Sequence, residues 1–240
     1  MQEHNQAEGR ENFWRSPKGK TGPGEPDPAE NSQARLGGAK LPPGRISTRL
    51  IAIGASLGGT EAILSLLKEL PPGSPGIVVV QHMPAGFTAG YAQRLDRNCG
   101  LRVVEAKSGI MVEDGLVVIA KGGEQLTVFA SPDGFRVHSF PGPLVNGFCP
   151  SVDVLFKSVA KAAGKLAAGV ILTGIGRDGA AGLKAMHDLG APTWGQSKDS
   201  CVVYGMPDAA FKAGAVDKEK NLKLIGRDLS LYFKDYHRGG

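Results

Sequence analysis

Across 240 residues the chain is 41% apolar, 21% charged and only 6% aromatic, with a formal net charge of +5. A membrane-spanning helix needs roughly 20 consecutive apolar residues, which no stretch supplies; the polar run Met1–Gln6 is no secretory signal, and the 35 glycines follow no three-residue period, which excludes collagen. The mild positive charge argues against a nucleic-acid binder and suits an acidic partner or substrate, while Cys99, Cys149 and Cys201 contain no CxxC pair, so neither a disulfide framework nor a zinc site is expected and the setting reads as a reducing cytoplasm.

Residues 1–48 hold seven glycines and six prolines, with seven Lys+Arg against six Asp+Glu, and their few large apolar side chains keep no period. Such a segment cannot bury enough surface to offset its ordering entropy and reads as a disordered tail or linker, with Phe13-Trp14 as an aromatic pair. From residue 49 to residue 240 short apolar runs alternate with amphipathic segments. Leu50–Ile53, Ile77–Gln81 and Gly169–Leu172 are continuous and β-branched, the signature of buried parallel strands. Helices are expected at Thr60–Leu70, Thr88–Arg97, Val152–Ala163, Ala180–Leu189 and Leu222–Phe233. Between Arg102 and Val137 the pieces Leu116–Ile119, Leu126–Phe129 and Phe135–Val137 are separated by Gly-Gly and Pro-Asp-Gly turn signals, which predict antiparallel hairpins. The expected fold is α/β: a doubly wound, mostly parallel sheet with an antiparallel hairpin insertion, in one domain.

Three strand ends carry the chemistry. The first leads into Gly54-Ala55-Ser56-Leu57-Gly58-Gly59, and Gly54-x-Ser56-x-Gly58 fits a nucleophile elbow, a tight strand-to-helix turn that projects a serine hydroxyl. The following helix start supplies free amides for a developing oxyanion; otherwise Ser56 is a helix cap in a glycine-rich connection. The second strand ends in Gln81-His82-Met83-Pro84. It puts a histidine at the carboxyl edge of the sheet, where ligands gather in open α/β folds and where an imidazole can shuttle a serine proton. His82 is otherwise a half-buried histidine bonded to backbone. The third end, Leu172-Thr173-Gly174-Ile175-Gly176-Arg177-Asp178-Gly179, offers Asp178 either as the cap of the next helix or as the partner that orients the histidine. Its GxGxxG spacing lacks the acidic residue a dinucleotide site needs after the next strand, and Gly54–Thr60 lacks the P-loop lysine. The order Ser…His…Asp differs from that of α/β-hydrolases.

Five separated blocks resemble the catalytic domain of the CheB chemotaxis protein-glutamate methylesterases: Ile53–Gly59, Gln81–Pro84, Pro150–Phe156, Leu172–Gly179 and Ser200–Pro207. The resemblance places the family's catalytic triad on Ser56, His82 and Asp178, with the backbone amides of Leu57 and Gly58 as oxyanion donors and no metal or organic cofactor. It implies a cytoplasmic esterase that removes methyl esters from glutamates on the helical bundle of chemoreceptors and can deamidate glutamines, with neither nucleic-acid binding nor membrane insertion. Leu57 stands where the family often has Thr or Ala, and Ile175 where it has Met. Residues 1–48 are too short for the family's receiver domain, which implies a stand-alone domain or a piece of a longer product. The alternative is a catalytically silent scaffold of the same fold that docks on receptors. Arg177 is either a contact for an acidic receptor surface or an exposed structural arginine.

Overall fold

A computed structural model describes residues 44–234. Seven strands run parallel in the order β3-β4-β2-β1-β7-β8-β9: β1 (Leu50–Ala55), β2 (Gly76–Gln81), β3 (Arg102–Glu105), β4 (Leu116–Ile119), β7 (Ala167–Ile171), β8 (Thr193–Gln196) and β9 (Lys218–Lys220). β5 (Gln125–Ser131) and β6 (Gly134–Phe140) form a separate antiparallel hairpin. The helices are α1 (Gly59–Lys68), α2 (Thr88–Asn98), α3 (Val152–Ala163), α4 (Ala180–Asp188), α5 (Met206–Lys212) and α6 (Leu222–Tyr232). This is the doubly wound α/β architecture expected, with the hairpin inserted between β4 and α3.

Alternation along the strands divides the core in two. Ile51, Ile53, Ile77 and Val79 face a layer that includes Leu66 and Leu67 of α1, Leu95 of α2 and Leu229 of α6. Leu50, Ala52, Val78 and Val80 face α3, α4, α5 and the hairpin, through residues such as Phe156, Leu183 and Leu126. Because both faces are covered, β1, β2, β4 and β7 are buried at every position, which is why they read as unbroken apolar runs.

Two expectations need correction. Leu116–Ile119 is not hairpin: it is β4, a parallel strand hydrogen-bonded between β2 and β3. Its run Leu-Val-Val-Ile carries the buried-strand signature, and the turn signals after it belong to the connection into β5. The packed chain also begins before Arg49. Ser47 donates its amide to Val112 O and accepts from Gly76 N, and Arg45 pairs with Asp114, so the composition break at residue 48 is not the start of the packed structure. The remainder of the expected tail, residues 1–43, lies outside the described residues.

Candidate active site

The chain leaves β1 toward β2 on one side and returns to β7 on the other, so the switch point of the winding lies at β1. Clefts at the carboxyl ends of strands beside such a point are where open α/β sheets bind ligands. Ser56 follows β1, His82 follows β2 and Asp178 lies on the loop between β7 and α4. The strand register pairs Ala55 with Gln81, and His82 N donates to Ala55 O at 3.0 Å, so the serine and histidine loops leave the sheet side by side. Ser56 N donates to Thr173 O at 3.0 Å, which ties the same turn to the end of β7.

His82 and Asp178 meet. Nε2 of His82 lies 2.8 Å from Asp178 Oδ2, with the imidazole 5% exposed and the carboxylate fully covered. The ionised carboxylate accepts, so Nε2 carries the proton and Nδ1 keeps its lone pair. Nδ1 is buried and has no hydrogen-bond partner among the described residues. The hydroxyl of Ser56 makes no hydrogen bond there either, so the Ser56–His82 link of a triad is not formed in the resting arrangement. Such links often tighten only when substrate arrives.

Asp178 does not cap α4; the cap there is Gly179, with φ 94°. Its carboxylate instead faces the start of α3, accepting from Val152 N at 2.6 Å, Asp153 N at 3.3 Å and Ser151 Oγ at 2.8 Å. Asp153 returns the arrangement: its Oδ1 accepts from Gly179 N at 3.1 Å and Gly182 N at 2.6 Å at the start of α4. Each helix start is thus held by a carboxylate from the other, satisfying orphan amides and the positive ends of both dipoles. Burial alone would raise the Asp178 carboxyl, but the hydrogen bonds from His82, Asn146, Ser151 and Val152 outweigh it and hold the group below the ordinary carboxylate range.

Leu57 and Gly58 form the turn into α1, with Gly58 at φ 79°, in the left-handed region, and its α-carbon against Val202. Neither amide has a partner among the described residues. Their peptide planes are fixed from the carbonyl side. Gln81 Nε2 donates to Ser56 O at 2.8 Å, and Thr173 Oγ1 donates to Leu57 O at 3.0 Å. A trans peptide points its N–H opposite its C=O, so holding these two oxygens aims the Leu57 and Gly58 amides. Gly174 leaves room for this turn: a Cβ there would lie 2.7 Å from Ser56 Cβ and 2.2 Å from Met206 Sδ.

Several residues at the site escape a reading by residue type: Gln81, Thr173, Asn146, Phe148 and Ser151. Asn146 Nδ2 donates to both Asp178 Oδ1 and Asp153 Oδ2 at 2.8 Å, and the Phe148 ring stacks on His82 with centroids 3.6 Å apart and planes 9° from parallel. The signal that points to them is the dipeptide Asn146-Gly147 between Val145 and Phe148, a hairpin-turn sequence beside the Pro150–Phe156 block. Beyond Asn146 a groove of about 660 Å³ runs along α4, lined by Lys157, Arg177 and Lys184 over Ala181 and Ala213. Among the described residues no cluster of three or more His, Cys, Asp or Glu is placed to hold a metal ion, and no helix is long and apolar enough to cross a membrane.

Ser56, His82 and Asp178 thus stand on neighbouring loops at the winding switch of an open parallel α/β sheet, an arrangement compatible with nucleophilic acyl chemistry. The comparisons agree with that chemistry. The family model described as CheB methylesterase matches residues 51–229. The protein-glutamate methylesterase/protein-glutamine glutaminase 2 of Syntrophomonas wolfei is 52% identical over 180 residues, covering 75% of this chain and 53% of that protein. A similarly named protein of Caulobacter vibrioides is 50% identical over 180 residues, covering 75% of this chain and 52% of its own. The crystal structure of the Thermotoga maritima CheB methylesterase catalytic domain superposes with a TM-score of 0.75 at 34% identity, covering 78% of this chain and 100% of that one. The chain belongs to the CheB methylesterase family. It spans about half the length of the curated relatives it matches.

Proposed function

We propose that the chain is a cytoplasmic protein-glutamate methylesterase acting on methylated glutamates of a chemoreceptor's helical bundle and able to deamidate glutamines. The observation that carries this reading is the buried His82–Asp178 pair, with Nδ1 of His82 unpartnered among the described residues and the His82 backbone bonded to Ala55, the residue before Ser56. In the first half-reaction Ser56 Oγ attacks the ester carbonyl and His82 Nδ1 takes the hydroxyl proton. The oxyanion is received by the Leu57 and Gly58 amides, and Asp178 stabilises the imidazolium through Nε2–H. Collapse expels methoxide, which leaves as methanol with the proton from Nδ1. Water then attacks the acyl-serine, again losing a proton to Nδ1; collapse breaks the bond between the acyl carbon and Ser56 Oγ, Oγ recovers the proton from Nδ1, and the glutamic acid released ionises in solvent. With a glutamine side chain the leaving group is ammonia. The cations Lys157 and Arg177 along the groove beside the site suit an acidic helical substrate.

The test is methanol release from a methylated receptor cytoplasmic fragment by the full chain, beside Ser56→Ala. Loss of the nucleophile lowers the rate on the order of 10⁴-fold or more. Equal activity in both proteins removes Ser56 from the chemistry. Background traces from both, with folding confirmed, leave the receptor-docking scaffold as the function.

A further inference from the structure

We propose that the turn Val145–Phe148 is a positioning device for the catalytic pair, with Asn146 holding Asp178 and Phe148 holding the ring of His82. The proposal rests on the esterase reading but concerns residues that reading does not use.

Val145 and Phe148 exchange both backbone hydrogen bonds, at 2.9 and 3.0 Å, around Asn146 at φ 54° and Gly147 at φ 85°. Two successive positive φ values are the signature of the tightest hairpin turn, and Asn-Gly is its preferred sequence. Among the described residues Asn146 is the single non-glycine with positive φ, a conformation that persists where surroundings over-determine it. Here they do. The amide nitrogen has two hydrogens, and both are used, one on each buried carboxylate. The side chain therefore fixes Asp178 relative to Asp153, and through it both helix starts, without bringing a charge that would cancel the carboxylate. Two positions on, the Phe148 ring lies flat on the imidazole. It blocks rotation about the His82 side chain, which keeps Nε2 on Asp178 and Nδ1 free, and its π-face favours the imidazolium formed during attack.

The two contacts act on that imidazolium with opposite sign. Asn146 withdraws charge from Asp178, so its removal makes the carboxylate a stronger partner and favours protonated His82. Removal of Phe148 takes away a π-face and disfavours it. Asn146→Gly deletes the side chain while retaining the positive φ, Phe148→Leu deletes the stack, and Phe148→Tyr conserves it. In the full chain, the pH-dependent NMR signal of the His82 ring is expected to move to higher pH in Asn146→Gly, to lower pH in Phe148→Leu, and to stay in place in Phe148→Tyr. With the methylated receptor fragment, kcat falls about ten-fold or more for Asn146→Gly, the worth of one hydrogen bond to a charged group. It falls about five-fold for Phe148→Leu, recovers in Phe148→Tyr, and KM holds throughout. A His82 signal that keeps its pH dependence in both deletions overturns the proposal, as does a loss uniform across pH. Because the NMR readout needs no substrate, absence of Ser56-dependent turnover in the wild type would sink the esterase reading and leave the positioning test standing.

Discussion

Asp153 takes no part in the proposed chemistry, yet the fold of the site depends on it. Its carboxylate accepts from Gly179 N, Gly182 N and Asn146 Nδ2, and the residue is 5% exposed. Asp153→Ala leaves three donors without an acceptor. A buried unsatisfied donor costs about 1–3 kcal/mol. The groove beside α4 lets water reach part of this space, so the lower end applies to each, for a total of about 3 kcal/mol. In a domain of this size 1 kcal/mol moves Tm by about 2–4 °C, giving a drop of roughly 6–12 °C. Asp153→Asn separates the parts. Its oxygen still serves the two glycine amides, but its NH2 confronts that of Asn146, and the charge at the start of α4 is lost, for about 1–2 kcal/mol together. Urea unfolding and calorimetry at pH 7 on the full chain measure both. An Asp153→Ala stability within about 0.5 kcal/mol of wild type, below the cost of even one orphaned donor, or an Asn variant as damaged as the Ala variant, would refute this role for Asp153.

Gln81→Met, close in size but without the donor to Ser56 O, is expected to lower kcat about ten-fold at constant KM; steady-state kinetics with unchanged activity would show that the Leu57 peptide needs no such support. Stability should also titrate through Asp178. Its folded carboxyl lies below the ordinary value of 3.8, so its contribution is complete above that value and is lost as pH falls through the lower folded value. Urea midpoints from about pH 5 to pH 3 should fall more steeply in wild type than in Asp178→Asn; parallel curves refute the linkage.

What the sequence made legible follows from which signals are local. β1, β2 and β7 are strands covered on both faces, so their residues are apolar apart from the hydrogen-bonded Gln81 at the end of β2, and the expected runs fall on them with small shifts at the ends. Helices α1 to α4 and α6 lie within two residues of their expected bounds because each has one apolar stripe. β3 gave little: it is an edge strand of four residues with three of them half-exposed. α5 was missed because its seven residues open with Met206-Pro207 and hold too few turns to show a period. At the site, Ser56, His82 and Asp178 stand out because each pairs a reactive side chain with a strand end, which is a local coincidence. Their support is not local. Asp178 is held from 32 residues away by Asn146 and from 27 by Ser151, and Ser56 from 25 by Gln81. Those residue types are common in turns and caps, so nothing in the chain distinguishes an asparagine that fixes a catalytic carboxylate from one that merely turns a hairpin. The distinction exists only once β2, β1 and β7 lie side by side: parallel pairing brings the three loops to one edge, where the Asp178 carboxylate on the β7 loop accepts from the amides at the α3 start. Fold and site are therefore specified by the same contacts, and a variant that loosens the α3–α4 exchange should lose alignment of the pair before it loses the sheet.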